Sequence, residues 1–349
     1  MSTALPATMA AVLLTGHGGT DKLEYREDVP VPRPAAGEVL IRVGAAGINN
    51  TDLNTRIGWY SQQAQADAIE DGAWSGALTF PRIQGADVCG RIVALGAGVA
   101  ATRLGERVLV QSCLCSLRDG AQDVWLGSER DGGFAQFVAV PAADAYAINS
   151  ALSDAELASF PCAYGTAENL LTRAGAVRGE RVLVTGASGG VGSAAVQLAA
   201  RRGAEVVAVA AAAKLDDVRT LGAVHVIARE VPLRDALADS SIDVVIDVVG
   251  GADWPALLDV LRPRGRYAVS GAIAGPHVML DLRKLYLKDL TFFGCTAQES
   301  SVFAALVGHI ARGEVKPLLA RTYALRDLAQ AQDDFAAKRH VGKLAVLPP

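Results

Sequence analysis

The sequence predicts an α/β protein of two domains, a β-rich N-terminal domain followed by a doubly wound parallel sheet. The chain has 349 residues, a length typical of two domains. Its N-terminal part contains short apolar segments separated by glycine and proline, a pattern that indicates strands and turns. From residue 153, apolar segments of strand length alternate with segments of helical period, which indicates parallel strands with crossover helices.

The first predicted domain covers 1–152, and 298–349 is expected to pack back on it. Its strands should be mostly antiparallel and barrel-like, and they are expected at 10–14, 38–45, 87–95, 107–111 and 134–141. The polar segment 61–79 has little periodicity and is expected to be a surface loop or short helix. The C-terminal segment is expected to form helices at 301–312 and 325–338 and a strand at 342–347.

The second predicted domain covers 153–297. Six strands are expected, at 181–185, 205–210, 225–227, 243–249, 266–270 and 291–295. Four helices are expected between them, at 190–202, 215–221, 233–238 and 255–261.

Composition excludes several classes of protein. The net charge is −4 and no run of Lys or Arg exceeds two residues, which argues against nucleic acid and anionic membranes as partners. The longest apolar run, 206–213, is too short to cross a bilayer, and the N-terminus lacks the basic region of a signal peptide. Five cysteines are an odd number, so we expect no disulfide scaffold and a cytoplasmic location.

The strongest local signal is a glycine-rich turn between a predicted strand and a predicted helix, Val182-Leu-Val-Thr-Gly-Ala-Ser-Gly-Gly-Val-Gly192. A side chain at Gly189 would block the approach of a pyrophosphate, and one at Gly192 would push the helix off the strand. The turn therefore predicts a bound nicotinamide dinucleotide, with its phosphates at the helix N-terminus. The expected contacts are Ala187, Ser188, Gly189, Gly190, Val191 and Gly192. The alternative is a glycine-rich turn without a ligand.

The second strand of this domain ends without an acidic residue to bond a ribose hydroxyl. Lys214 follows that strand and Arg219 lies one helical turn later, so the sequence favours the 2′-phosphate of NADPH. Two alternatives remain open: Lys214 caps a solvated helix start, or Asp216 reaches the ribose and NADH is used.

Over nearly its whole length the sequence resembles the medium-chain dehydrogenase/reductase superfamily. The resemblance implies a GroES-like catalytic domain and a Rossmann domain. Besides the glycine-rich turn, the matching motifs are Leu221-Gly-Ala223, Asp247-Val-Val-Gly250, Gly265-Arg-Tyr267 and Gly342-Lys-Leu344.

Zinc alcohol dehydrogenases of that superfamily hold a catalytic metal on Cys, His and Cys. Their first motif, G-x-C-H-T-D, appears here as Gly47-Ile-Asn-Asn-Thr-Asp52, and G-H-E-x-x-G appears as Gly85-Ala-Asp-Val-Cys-Gly90. Asn49 and Ala86 therefore stand at two ligand positions, and Cys162 stands near the third. An amide, a methyl group and one thiol do not supply three zinc ligands, so we expect no metal. Cys89, Cys162 and Cys295 are expected to be small buried hydrophobic residues.

The resemblance is strongest to the zinc-independent branch, the quinone oxidoreductases and trans-2-enoyl thioester reductases. Gly47-Ile-Asn49 matches the G-x-N of the former, and Tyr60 falls in register with a catalytic or carbonyl-binding tyrosine of the latter. Asn49 and Tyr60 are thus the candidate catalytic residues, as hydrogen-bond donors to a developing oxyanion. The alternatives are a turn residue for Asn49 and a rim aromatic for Tyr60. Arg56 is expected to be a solvated surface cation.

The resemblance also implies further cofactor contacts at the carboxyl ends of the later strands, where ligands of doubly wound sheets bind. The expected residues are Thr166, Ser270, Gly271, Ala272, Ile273, Gly294, Cys295, Thr296 and Lys343. For Lys343, a surface lysine of the C-terminal segment is the alternative.

Together these observations predict a metal-free NADPH-dependent reductase of a quinone or an α,β-unsaturated carbonyl compound, a small-molecule substrate. One alternative is an enoyl-thioester reductase of fatty-acid or polyketide type, and another is a catalytically silent NADPH-binding partner protein. The apolar strand expected at 291–295 would lie at a sheet edge, which favours a homodimer.

Overall fold

The computed structural model describes residues 5–60, 78–118 and 123–349. The chain forms two compact units, one of Met1–Cys162 with Phe303–Pro349 and the other of Ala163–Val302. The sequence had predicted these boundaries at 152 and 297. The expectation for 61–79 falls outside the described residues, apart from its last two positions.

The N-terminal part contains eight strands among its described residues. They are β1 (Thr8–Leu14), β2 (Leu23–Pro30), β3 (Glu38–Gly47), β4 (Arg82–Ile83), β5 (Asp87–Leu95), β6 (Arg107–Val110), β7 (Phe137–Pro141) and β8 (Ala145–Ala147). The helices here are α1 (Asn50–Ile57), α2 (Asp154–Leu157) and α3 (Pro161–Arg173).

The middle of the chain alternates strands and helices. The strands are β9 (Arg181–Val184), β10 (Glu205–Ala210), β11 (His225–Ala228), β12 (Ile242–Asp247), β13 (Leu261–Val269) and β14 (Thr291–Gly294). The helices are α4 (Gly190–Arg201), α5 (Leu215–Thr220), α6 (Leu233–Ala236), α7 (Trp254–Val260) and α8 (Leu282–Leu287). The C-terminal part adds α9 (Ser300–Ala311), β15 (Leu319–Ala324), α10 (Leu328–Ala336) and β16 (Lys343–Leu347).

The first unit is built on two sheets. In its described residues, a three-stranded sheet has the order β2-β1-β4, and a larger sheet has the order β15-β16-β3-β5-β6-β8 with β7 pairing to β3. The pairs that β3 forms with β5, β7 and β16 are antiparallel. Valine, isoleucine and leucine side chains from both sheets are buried in one core, which α10 joins through Leu328 and Phe335. The predicted β-rich, GroES-like domain is confirmed.

The second unit contains the predicted doubly wound parallel sheet. Its strand order is β11-β10-β9-β12-β13-β14, and each neighbouring pair is parallel. The central strands are apolar on both faces, because helices cover both sides of such a sheet. The carboxyl ends of β9 and β12 lie side by side, with Val184 paired to Ile246, at the position where the strand order reverses.

Two elements near the predicted site differ from the sequence prediction. The segment 50–57 forms helix α1, although its side chains are mostly polar and show no apolar stripe. The segment 161–173 forms helix α3, which includes Thr166 and was not predicted.

Candidate functional site

Helix α1 begins within the segment that corresponds to the first metal-ligand motif of the zinc alcohol dehydrogenases. Asn49 is its N-cap residue, and the backbone N–H of Asn49 donates to Oδ2 of Asp52 at 2.8 Å. Gly58 ends the helix with φ of 70°, a left-handed conformation that favours glycine. These caps fix the two ends of α1 despite the low helix propensity of its sequence.

A buried ion pair lies beside the start of α1. Lys343 Nζ lies 2.9 Å from Asp87 Oδ2, and the two residues are 2% and 0% exposed. Asp87 begins β5 and pairs with Gly47, the last residue of β3, while Lys343 begins β16. The ends of three neighbouring strands therefore bring this pair together. A Cβ on Gly47 would lie 2.7 Å from Asp87 Oδ2, so the close approach of the carboxylate requires glycine there.

Asn49 joins the same network. Its Nδ2 donates to Asp87 Oδ2 at 2.9 Å, and its Oδ1 accepts a hydrogen bond from Lys343 Nζ. Lys343 also donates to the carbonyl of Ile48 at 2.8 Å, and Asp87 Oδ1 accepts the backbone N–H of Cys162 at 2.6 Å. We call Asn49, Asp87 and Lys343 the lysine network. Lys343 is therefore not a surface lysine, and its contact with a cofactor stays a prediction.

The side chains at the expected zinc-ligand positions are poorly suited to bind zinc. Asn49 is engaged in the lysine network, and Ala86 offers a methyl group. Within 5–60, 78–118 and 123–349, no group of three or more His, Cys, Asp or Glu side chains is arranged to hold a metal ion. Cys89 and Cys295 are buried as expected, but Cys162 is only half-buried.

A small pocket lies next to the lysine network. It has room for about one water-sized group. Its wall is formed by Thr51, Asp52, Thr55, Ala86, Ser112 and Cys162, and by the segment 125–128. Burial raises the pKa of Asp52 to about 7, although the backbone N–H of Asn49 and the charge of Lys343 lower it. Near neutral pH this carboxyl group is therefore partly protonated.

Tyr60 follows α1 and lies near this wall. Its hydroxyl accepts a hydrogen bond from Asn54 Nδ2 at 3.2 Å. Burial raises the pKa of Tyr60, the hydrogen bond from Asn54 lowers it, and the charges of Cys162 and Asp52 raise it further. The phenol therefore stays protonated at neutral pH, the form that donates a hydrogen bond.

Arg56 is 7% exposed, so the expectation of a solvated surface cation was wrong. Its Nε donates to Gln332 of α10 at 2.9 Å, and its Nη1 donates to the carbonyl of Gly18 at 2.6 Å. Burial lowers the pKa of Arg56. The side chain is a buried link between α1 and the C-terminal part of the first unit.

In the second unit, the glycine-rich turn has the geometry that the sequence predicted. Gly189 is the N-cap residue of α4, so the helix N-terminus opens directly after the turn. A Cβ on Gly192 would lie 2.2 Å from the carbonyl oxygen of Gly186, whereas one on Gly189 would meet only that oxygen, at 3.4 Å. Gly192 therefore permits the close packing of turn and helix, and Gly189 leaves space above the turn.

The corner after β10 carries two cations. Lys214 ends a 3-10 turn, Ala212–Lys214, and partial burial lowers its pKa, with the nearby charge of Arg229 acting in the same direction. Arg229 follows β11, and its backbone N–H donates to the carbonyl of Ala210 at 2.8 Å. Arg219 instead pairs with Asp216 at 2.6 Å on the exposed face of α5. The sequence did not single out Arg229, because its position depends on the pairing of β10 with β11.

Asp247 organises the carboxyl ends of the central strands. The residue is fully buried, and it accepts hydrogen bonds from the Thr185 hydroxyl at 2.5 Å and the Tyr267 hydroxyl at 2.6 Å. It also accepts the backbone N–H of Val249 at 2.9 Å, which fixes the loop after β12. Ser270, at the end of β13, has a buried hydroxyl with no hydrogen-bond partner among the described residues.

The remaining predicted cofactor residues lie on several elements of the second unit. Gly271 and Ala272 are half-buried, Ile273 is exposed, and Thr166 is half-buried on α3. At the end of β14, Gly294 and Thr296 are exposed, and Cys295 is buried with its pKa raised by burial.

Two observations indicate that a dinucleotide fits this arrangement. The turn at Gly189 leaves space over a helix N-terminus, where backbone N–H groups suit a pyrophosphate. The hydroxyl of Ser270 is buried without a partner at the strand ends where such ligands bind.

Two family models match the chain. The alcohol dehydrogenase GroES-like domain model matches residues 35–150, and the zinc-binding dehydrogenase model matches residues 190–312. A quinone oxidoreductase from Rattus norvegicus is 28% identical over 353 residues, covering 97% of this chain and 98% of the relative. An acryloyl-coenzyme A reductase from Metallosphaera sedula is 30% identical over 353 residues, covering 96% of this chain and 99% of the relative.

Among solved structures, a protein from Sinorhizobium meliloti 1021 that carries a provisional alcohol dehydrogenase name has a TM-score of 0.93 and 48% identity. The match covers 99% of this chain and 98% of that chain. The chain therefore belongs to the medium-chain dehydrogenase/reductase superfamily, as its motifs predicted, and it is an oxidoreductase. None of the described helices is long and apolar enough to span a membrane.

Proposed function

We propose that this protein is a metal-free, NADPH-dependent reductase that transfers hydride to a quinone or an α,β-unsaturated carbonyl compound. The observation that carries the proposal is the donor set around α1. The amide of Asn49 and the hydroxyl of Tyr60 lie at the two ends of α1, and the positions of the expected zinc ligands hold an amide, a methyl group and a thiol.

When bound, the reduced nicotinamide supplies the hydride. The residues of this chain must then stabilise negative charge that grows on the carbonyl oxygen of the acceptor. The protonated Tyr60 phenol and the Asn49 amide are the proposed donors, and the lysine network holds Asn49 in a fixed orientation. Tyr60→Phe should lower kcat/KM for the acceptor about 10²-fold and leave the KM for NADPH unchanged. A Tyr60→Phe enzyme with full kcat/KM would refute this role.

The preference for NADPH is proposed from the cations after β10. Arg229 lies close enough to Lys214 for its charge to lower the pKa of Lys214, and Arg229 also pairs with Glu230 at 3.1 Å. Two neighbouring cations favour a dianionic 2′-phosphate between them. Lys214→Ala should raise the Kd for NADPH at least about tenfold, a change of the size that one ion pair contributes to binding. The Kd for NADH should stay within twofold of wild type. Equal weakening of both cofactors would contradict the proposal. Arg219→Ala is the matched control, because Arg219 pairs with Asp216.

An enoyl-thioester reductase is the second candidate, and the likeness to an acryloyl-coenzyme A reductase supports it. Purified protein should be assayed for NADPH oxidation at 340 nm with small quinones, simple enones and crotonyl thioesters. A kcat/KM for thioesters above all other acceptors would favour this candidate. Cofactor binding without turnover on any acceptor would favour a silent NADPH-binding protein.

We also propose a homodimer joined at β14. Among the described residues, β14 is an edge strand of its sheet, and an unpaired edge offers backbone groups to a second copy. Exposed apolar side chains precede it in sequence, with Met279 82%, Leu282 63% and Leu287 72% exposed. Analytical ultracentrifugation should give twice the chain mass, and Leu287→Glu should shift the protein toward monomer. A wild-type monomer at micromolar concentration would refute the dimer.

A cytoplasmic location is proposed from the five free cysteines.

A further inference from the structure

Cys113 and Cys115 lie one residue apart in a tight turn that follows β6. The backbone N–H of Cys115 donates to the carbonyl of Cys113 at 2.9 Å, and Leu114 between them has φ of −77° and ψ of 79°. These angles define an inverse γ-turn. In an extended strand the two Cα atoms would lie about 7 Å apart, beyond the range of about 4.4–6.8 Å that a disulfide spans. The turn brings them closer together.

The two thiol groups are in contact across this turn. A hydrogen bond with Cys115 and burial raise the pKa of the Cys113 thiol, and a hydrogen bond from Arg118 lowers it. Cys113 therefore keeps its proton and directs it at the sulfur of Cys115. Cys113 is 1% exposed and Cys115 is half-buried, so a small solute reaches the sulfur of Cys115 first.

A second donor is fixed on the sulfur of Cys115. Gln111 is fully buried, and its Nε2 donates to Cys115 Sγ at 3.0 Å. The Tyr146 hydroxyl donates to Gln111 Oε1 at 3.3 Å, which holds the amide with its NH₂ group toward the sulfur. Hydrogen-bond donors on a sulfur favour its thiolate, the form that attacks oxidants. Cys115 is therefore the nucleophile of the pair, and Cys113 is placed to close a bridge to it.

The same segment is paired with the wall of the small pocket. The carbonyl of Ser112 accepts the N–H of Leu126 at 3.0 Å, and Cys113 forms an antiparallel bridge with Trp125. Ser112, Trp125 and Leu126 all line the pocket. Movement of Cys113 is therefore transmitted through the backbone to Trp125.

We propose that Cys113 and Cys115 are a redox-active dithiol, which a peroxide oxidises to a disulfide and a small thiol reduces again, and that the bridge displaces Trp125 in the pocket wall. Neither sulfur takes part in the proposed hydride transfer, so the site stands whether or not that transfer occurs. A bridge that closes so short a loop removes little chain entropy, so it adds little stability and suits reversible oxidation. Redox-sensing disulfides are also the kind that occurs in a reducing compartment.

The oxidation consists of two displacements. The Cys115 thiolate attacks one oxygen of hydrogen peroxide, the O–O bond breaks, and the departing hydroxide takes up a proton to give water. The sulfur of Cys113 then attacks the sulfenic sulfur of Cys115, the S–O bond breaks, and the departing hydroxide takes the proton of Cys113 to give a second water. Two thiols are oxidised to one disulfide, and one peroxide is reduced to two waters.

Peptide mass spectrometry tests the bridge. The protein is reduced, freed of reductant, treated with a small excess of hydrogen peroxide, unfolded in iodoacetamide and digested with trypsin. Trypsin releases 108–118 as one peptide, which contains these two cysteines and no other. The peptide should be lighter than its reduced form by two hydrogen atoms and carry no alkyl group, and dithiothreitol should restore two alkylatable thiols.

Two variants control this measurement. Cys115→Ser should abolish the loss of two hydrogen atoms, and Cys89→Ser should retain it. Cys89 is the matched control, because it is buried in β5 and its thiol donates to Asp154 Oδ1 at 3.6 Å. Two alkylated thiols in peroxide-treated wild type would overturn the proposal. A sulfinic acid on Cys115 beside an unmodified Cys113, or a disulfide from either residue to another cysteine, would also overturn it.

Tryptophan fluorescence tests the displacement of the pocket wall without any substrate. Oxidation should change the emission of wild type and of Cys89→Ser, and dithiothreitol should restore it. The change should be absent in Cys115→Ser, which forms no bridge, and in Trp125→Phe, which lacks the reporting indole. A bridge detected by mass with unchanged emission would refute the displacement. A protein that reduces no acceptor but passes both tests would refute the proposed function and leave the dithiol site intact.

Discussion

The lysine network and the pocket wall are two buried polar regions that meet at the start of α1, and they differ in how their polar atoms are paired. In the network, Lys343, Asp87 and Asn49 bond to one another, and the amide and carboxylate oxygens accept bonds at 2.9 Å or less. In the wall, Thr51 and Ser112 keep buried hydroxyls without a partner in the described residues. The bonds within the network stabilise the fold, whereas the two unpaired hydroxyls cost stability.

The largest expected effect comes from breaking the ion pair of the lysine network. Lys343→Met leaves the Asp87 carboxylate buried without its cation, so the free energy of unfolding should fall by about 3–5 kcal/mol. Urea denaturation of the purified variant measures this loss. Lys22→Met is the control, because Lys22 pairs with Asp21 at the surface, and an exposed pair of this kind contributes less than about 1 kcal/mol.

A second variant separates charge from packing in the same network. Adding Asp87→Asn to Lys343→Met removes the uncompensated charge, so the double variant should be more stable than Lys343→Met alone. If Lys343→Met loses less than about 1 kcal/mol, the network does not stabilise the fold as described.

The next effect is a pH dependence from Asp52. Because burial raises its pKa to about 7, the folded state favours the neutral carboxyl, and stability should decline as pH rises from about 4, the unfolded value, toward 7. Asp52→Asn should remove this decline, which amounts to no more than about 4 kcal/mol. Relative to wild type, the variant therefore gains stability between pH 5 and pH 8.

Urea denaturation at the two pH values checks this prediction. Asp21→Asn, at an exposed position, serves as the control and should follow the wild-type pH profile. An Asp52→Asn protein whose stability falls with pH as steeply as wild type would show that another group causes the dependence.

The smallest effect contrasts two buried serines. Ser112→Ala removes an unpaired hydroxyl, so the ligand-free protein should become more stable by about 1 kcal/mol. Ser159→Ala removes a hydroxyl that donates to the Glu156 carbonyl and should lose about 1 kcal/mol. Thermal unfolding at one pH compares the two. Destabilisation of equal size in both variants would show that the Ser112 hydroxyl is satisfied in solution.

The parallel sheet of the second unit could be predicted from sequence because its signals are local, whereas helices α3 and α8 were not predicted. Apolar strands such as β10, Glu205–Ala210, were predicted with their observed bounds, and the turn at Gly189 and Gly192 has the predicted geometry. Each of these features depends on neighbouring residues, through strand period or through the space that a glycine leaves.

The first unit was harder to predict because its site depends on residues far apart in sequence. Asp87 and Lys343 meet only because β3 pairs with both β5 and β16. Helix α1 lacks an apolar stripe, and Asn49 with Asp52 as a cap was the one local signal for it. No local sequence pattern marks Ser112, because what distinguishes this residue is a buried hydroxyl without a hydrogen-bond partner in the described structure.

We propose that side-chain donors, and not a divalent cation, stabilise the charge on the oxygen of the acceptor. The most direct measurement is metal analysis of the purified protein together with acceptor-dependent NADPH oxidation before and after treatment with a chelator. The purified protein should contain less than about 0.1 equivalent of zinc, since a catalytic site needs three protein ligands, and its kcat/KM should be unchanged after chelation. One equivalent of zinc, with activity that the chelator abolishes and added zinc restores, would contradict it.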